Sequence, residues 1–277
     1  MFIIAKRIIL FTTFTETTNL DLFGVMETLF IGKNPVFLPV TESTNSYAIE
    51  MLKNVNPPEG TIIYTDHQTR GRGQRGTSWE SEPGSNMMVS VILKPAFLSL
   101  KKQHFLYQVA ALACYDTIAQ LLDNSQFDIK IKWPNDILVN RRKIAGVLIE
   151  NNLVNNDVIW SVVGVGINVN QTFFNNLEGA TSLKLIADVS FDTRDVMLKF
   201  CYWLEKRYLS LMAGKFDLLG GEYLSNFFGI KNSVWFELNG AVRRMFVEGI
   251  SPAGLLLLKG EDEILREVDV KEVKWLI

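Results

Sequence analysis

Histidine and cysteine are scarce: the chain holds two of each. His67 and His104 stand far apart with no cysteine or acidic cluster beside them, so the ligand spacing of a zinc site is missing. Cys114 and Cys201 sit in apolar, helix-like stretches with no resolving partner, which reads as core thiols in a reducing compartment. Neither sign of charge dominates. Against 28 Lys+Arg stand 30 Asp+Glu, so the net charge of −2 advertises neither nucleic acid nor an acidic membrane surface, and any anion must be handled locally. Long apolar runs are also missing near the start: Lys6 and Arg7 precede only Ile8 to Phe11, short of the ~7–15 apolar residues of an export signal. That leaves the cytoplasm as the expected location, with no membrane partner. Neither G-x-S-x-G nor G-x-x-x-x-G-K-[ST] occurs, and no internal repeat is present.

What remains is an ordinary globular composition, 48% hydrophobic and 21% charged over 277 residues, enough for one large domain and a small one. Residues 1–33 are poorly patterned and lack the amphipathic periods and basic helix of a helix-turn-helix, so no DNA partner is expected; Met26 is an alternative start. Asn34 to Val40 reads as a strand. Thr41 to Asn45 then supplies hydroxyls and amides to cap a helix through Ala48 and Leu52, which Asn56-Pro57-Pro58 stops. Further strands are expected at Thr61 to Thr65 and Met87 to Leu93, and a long helix at Leu98 to Leu122 with Leu106, Val109, Ala110, Ala113, Cys114 and Thr117 inward. Four strand-like runs follow, Asp128 to Lys132, Ile137 to Val139, Ile144 to Ile149 and Val158 to Val169. Their short polar turns imply antiparallel pairing, hence an α+β sheet and not alternating parallel units. Asp192 to Ala213 is a second long helix. After residue 229 come four short strands separated by turns such as Asn239-Gly240, a small β-barrel over 230–277. The catalytic domain is placed at 34–229.

Chemistry concentrates in few places. Gln68 to Gly76 carries Arg70, Arg72 and Arg75 among Gly71, Gly73 and Gly76; such glycines admit close backbone approach, and guanidinium forks bind phosphate or carboxylate. Read alone, this is more simply a solvated basic loop. Asn135-Asp136 and Lys143 flank a hairpin turn that would bring Asp136 and Lys143 together, a surface salt bridge in the plainest reading. Gly164 and Gly166 lie inside a strand, where glycine marks a bulge or the close approach of a ligand or another backbone. Trp79 either walls a pocket or simply packs.

Taken in order, Glu42-Ser43-Thr44-Asn45, Gln68 with Gly71-Arg72-Gly73 and Trp79, Lys132-Trp133-Pro134-Asn135-Asp136, Lys143-Ile144-Ala145-Gly146 and Gly164-Val165-Gly166-Ile167-Asn168 closely resemble the biotin–protein ligases. The resemblance implies a class II aminoacyl-tRNA synthetase/biotin synthetase-like α+β fold with a Src-homology-3-like C-terminal barrel. It implies two steps: biotin and MgATP give biotinyl-5′-adenylate and pyrophosphate, then a lysine of a biotin carboxyl carrier domain takes the biotinyl group. By the same resemblance Ser43, Thr44, Asn45 and Gln68 bind the biotin head, with Gly71, Arg72, Gly73, Gln74, Lys143, Gly146, Gly164 and Gly166 around the rest of it. Arg72, Arg75, Trp79, Asn135, Asp136, Lys143 and Asn168 serve the nucleotide. Lys143, Arg72 and Asp136 are the candidate catalytic groups, and Asp136 the candidate Mg²⁺ ligand through ATP and a candidate acceptor for the proton the entering lysine loses. Zinc, haem and flavin are not expected, and a homodimer is compatible with the family. Many family members carry arginine where this chain has Gln74, and residues 1–33 show no winged helix, which marks the ligase-only type. Lipoate–protein ligase is the nearest alternative. A non-catalytic regulator that binds biotinyl-adenylate or DNA is the alternative from another class.

Overall fold

A computed structural model describes residues 27–122, 125–155, 157–175 and 179–276; Met26 and Ile8 to Phe11 lie outside them. Seven β-branched and aliphatic runs make the main sheet: β1 (Pro35–Thr41), β2 (Ile62–Gln68), β3 (Met87–Leu93), β4 (Ile129–Lys132), β5 (Asp136–Val139), β6 (Arg142–Val154) and β7 (Asp157–Ile167). Their order is β1-β2-β3-β7-β6-β5-β4. Only β1 and β2 run parallel, joined by the crossover helix α1 (Thr44–Asn54) that parallel pairing requires. The remaining neighbours are antiparallel, as the short turns demand. Asn140 and Arg141, with φ of 49° and 66°, supply the left-handed pair of a tight hairpin between β5 and β6.

The long helices appear as α2 (His104–Leu121) and α4 (Thr193–Met212), with two shorter ones, α3 (Leu183–Ala187) and α5 (Phe216–Ser225), that the sequence did not announce. The expected stripe of α2 is buried, but so are Ala111, Leu112 and Ile118, because the helix lies between the sheet on one side and α4 and α5 on the other. Cys114 and Cys201 are buried free thiols there; burial raises both, Cys201 to about 12. Alternation along β3 and β7 sends Val89, Val91, Leu93, Val163, Val165 and Ile167 to this main core. On the opposite face α1 covers Ile63, Ile92 and Val162 through Ala48. Among the described residues no helix is long and apolar enough to cross a membrane.

The C-terminal unit is a five-stranded antiparallel sheet in the order β11-β10-β9-β8-β12, built from β8 (Ser233–Leu238), β9 (Ala241–Ile250), β10 (Leu256–Lys259), β11 (Leu265–Val268) and β12 (Val273–Leu276). The fifth strand was not anticipated; it returns to pair with β8. Phe236, Met245, Val247 and Leu258 join the same apolar cluster as α2. At the other end, packed chain begins before the boundary drawn at residue 34. Ile31 is fully buried, and the N–H groups of Leu29, Phe30 and Ile31 donate to the Glu205 carboxylate at 2.5, 2.8 and 2.9 Å.

Candidate active site

The site stands on the sheet face that α1 only partly covers. Strand register aligns Asp136 with Gly146, Gly146 with Gly166 and Gly166 with Met88, while Leu148, Gly164 and Ser90 form the adjacent row. Side chains of these rows share a face and floor a cleft of about 370 Å³. The strand glycines make room for the protein's own side chains. A Cβ on Gly166 would lie 2.4 Å from Trp79 Cε2, and one on Gly164 would lie 2.2 Å from Asn45 Oδ1. Trp79 thus lies flat against the sheet, its Nε1 buried without a partner.

Ser43 occupies the N-cap position of α1 but makes no side-chain cap bond, contrary to expectation. Gln68 does that work from β2: its Oε1 accepts the Thr44 N–H at 2.8 Å and lies 3.2 Å from Thr44 Oγ1. The Ser90 hydroxyl sits 2.7 Å from Thr44 Oγ1 and 2.6 Å from Asn45 Oδ1. Asn45 Nδ2 donates to the Leu148 carbonyl at 3.2 Å and to Glu150 Oε2 at 2.9 Å. Ser43, Thr44 and Asn45 are buried, so one end of the cleft is a compact polar array.

The Gly/Arg loop folds on itself as a small hairpin, with the Gly73 N–H on Thr77 O at 2.7 Å and the Trp79 N–H on Gly71 O at 2.9 Å. Arg75 stands at its tip with φ of 56°. Arg72 reaches across to Glu150, whose other oxygen holds Asn45, and to Ser46 Oγ at 3.3 Å. Arg75 has no ion pair among the described residues.

Opposite the loop, Lys143 Nζ lies 2.7 Å from Asp136 Oδ1, and Lys132 Nζ lies 2.7 Å from Asp136 Oδ2. Lys143 and Gly146 are three apart, which in a regular strand would put them on opposite faces. An irregularity in the β5–β6 register between Ile137 and Leu138 leaves Ile144 and Ala145 both in the core and turns Lys143 to the cleft. Burial pushes the Asp136 carboxyl up, but Lys143 and Lys132 outweigh it and hold it below its ordinary value. The plain surface salt bridge of the sequence reading is therefore a triad of two half-buried lysines on one buried carboxylate.

Residues 37–168 match the profile of the biotin/lipoate A/B protein ligase family. The bifunctional ligase/repressor BirA of Bacillus subtilis is 34% identical over 247 residues, which cover 87% of this chain and 74% of that protein. The chain belongs to this ligase family. The biotin–[acetyl-CoA-carboxylase] ligase of Mycobacterium tuberculosis is 28% identical over 200 residues, 72% of this chain and 73% of that protein. The solved biotin protein ligase of Aquifex aeolicus in complex with biotin and ATP superposes with a TM-score of 0.72 at 27% identity, covering 87% of this chain and 98% of that one.

In this family member the cleft gathers Ser43, Thr44, Asn45, Gln68, Arg72, Gly73, Gln74, Arg75, Trp79, Asn135, Asp136, Lys143, Gly146, Gly164 and Gly166. Two expected residues stand apart from its lining. Asn168 is buried with Nδ2 on the Thr181 carbonyl at 2.9 Å, and Gly71 packs against the Trp79 backbone, where a Cβ would lie 2.4 Å from Trp79 O. The Asn135 amide, though in the cleft, donates to Val147 O at 2.9 Å. Glu150 and Lys132 were missed as site residues, and so were Lys274 and Trp275 of the C-terminal sheet. Nothing local to Glu150 signals its role; Lys132 stood in the quoted motif. As a metal site the residues do not fit: both Asp136 oxygens carry lysines, and no group of three metal-ligating side chains occurs among the described residues.

Proposed function

We propose that this chain activates biotin with ATP as biotinyl-5′-adenylate and transfers it to a lysine of a carboxylase's biotin carboxyl carrier domain. The carrying observation is the Lys132–Asp136–Lys143 triad, its carboxylate buried, which lines one cleft with Arg75, the strand glycines and Trp79, beside a polar pocket. Two lysines on one carboxylate leave a net positive charge. That charge lowers the repulsion when a carboxylate oxygen attacks the α-phosphorus and pyrophosphate leaves. The array of Thr44, Asn45, Gln68 and Ser90 offers fixed donors and acceptors for the ureido ring.

Asp136 is assigned to positioning Lys143. Its depressed pKa makes it a poor acceptor for the lysine proton, and with a lysine on each oxygen it does not fit a metal. Incubation with MgATP, biotin and a carrier domain should release pyrophosphate and add the mass of one biotinyl group. Absence of both, or equal use of lipoate, defeats the reading.

A further inference from the structure

Beside the cleft lies a second cavity of about 320 Å³, between the start of α2, β6 and the β9–β10 connection. The two share Gln74, Trp133, Pro134 and Val270 as a common wall. Their electrostatics are opposite. The cleft is lined by Arg72, Arg75, Lys132, Lys143 and Lys274. Among the described residues the second cavity is lined by no lysine or arginine and by one carboxylate, Asp269.

Its walls also hold unmet acceptors. Gln108, 7% exposed, has a buried Oε1 without a partner, and Asn151 Oδ1 is in the same state. For Asn151 the nitrogen end is accounted for, since Nδ2 donates to Gln103 Oε1 at 3.1 Å. Buried acceptors left unpaired are costly, and two around one cavity beside the Asp269 carboxylate are best answered by a ligand that is all donor. A primary ammonium has three N–H donors, no acceptor and a positive charge.

We propose that this cavity receives the ε-ammonium of the acceptor lysine before transfer, which rests on the ligase reading above. The cations that hold an acyl-phosphate in the cleft repel an incoming ammonium, so the acceptor needs a separate berth next to them. Burial outweighs a hydrogen bond to the Lys101 backbone and holds the His104 imidazole below its ordinary value, so near neutral pH it adds no competing charge. From this berth the lysine gives one proton to solvent and passes the Gln74–Pro134 wall as a neutral amine. Its nitrogen attacks the biotinyl carbonyl carbon, the C–O bond to phosphate breaks with its electrons on AMP, and the second proton leaves as the amide forms.

The test pairs two charge changes outside the adenylate site, Asp269→Asn and Asn151→Asp, in the full chain. Nα-acetyl-lysine amide and a carrier domain are the acceptors, and pyrophosphate release reports adenylate synthesis. Asp269→Asn should raise the KM for either acceptor about tenfold and Asn151→Asp should lower it several-fold, with pyrophosphate release within about twofold of wild type. Unchanged acceptor KM in both variants, or shifts in the same direction, overturns the berth while leaving the ligase reading intact. No pyrophosphate release from the unaltered protein overturns the ligase reading, and the berth with it.

Discussion

Lys143 Nζ lies 2.7 Å from Asp136 Oδ1, and that carboxylate is only 8% exposed. Lys143→Ala should therefore cost most adenylate synthesis, about 10²–10³-fold in the pyrophosphate-release rate, as for loss of a fixed charge at a developing anion. The fold should survive, because Asp136 keeps Lys132. A rate within a few-fold of wild type would remove Lys143 from the chemistry. Because Asp136 titrates below its unfolded value, its contribution to stability is full above ~pH 4 and is lost only as pH falls through the lower folded value. The Tm difference between wild type and Asp136→Asn should accordingly be constant from pH 5 to 8 in thermal melts; a difference that changes across that range would place the Asp136 titration higher.

Gly166 and Trp79 fit each other without a spare methyl group. Gly166→Ala forces the indole off the sheet at a cost of ~1–3 kcal/mol, read as a lower Tm and a changed Trp79 fluorescence, with weaker biotin binding. An alanine variant that binds biotin normally would show that the indole moves away freely.

The segment before β1 divides into two parts. Deleting residues 1–25 should leave solubility and transfer intact. Deleting to residue 33 removes Ile31 from the core and three N–H partners from Glu205, so it should destabilise by ~3 kcal/mol or more in urea unfolding. Equal stability of both truncations would refute the anchoring.

Gln74 lines the cleft beside Arg72 and Arg75. With Arg72 held by Glu150, an arginine at 74 adds one charge-assisted contact to the adenylate, so Gln74→Arg should slow its release about tenfold, and as a cation in the wall the acceptor lysine passes it should also raise the acceptor KM. Stopped-flow off-rates decide; an unchanged or faster rate means the side chain does not reach the ligand.

Local chemistry was readable where it depended on neighbours in sequence: the β5–β6 turn at Asn140-Arg141, the inward stripe of α2, and the hairpin that joins Asp136 to Lys143. Long-range choices were not. Glu150 and Arg72 meet across 78 residues and Glu205 meets Ile31 across 174, and no periodicity encodes such a partner. Helix α5 was hidden by Gly220 and Gly221 in its interior, which weaken helix propensity until tertiary packing of Leu219 and Tyr223 restores it. The strand glycines left two readings open, a ligand contact or a bulge or tight packing, and the space above them is filled by Asn45 and Trp79, the tight packing that no local signal could assign to those partners.

Trp133, next to Pro134 in the turn that leads to Asp136, donates its indole N–H to the Gly254 carbonyl at 3.1 Å. That turn, at the edge of the cleft, is thereby tied to the small C-terminal sheet, whose apolar side chains continue the main core. Cooperativity follows from that continuity: the two units should melt in a single calorimetric transition, and slow-exchanging amides in β9 should open together with those in β7. The chain changes texture near residue 230, but the folding unit does not end there.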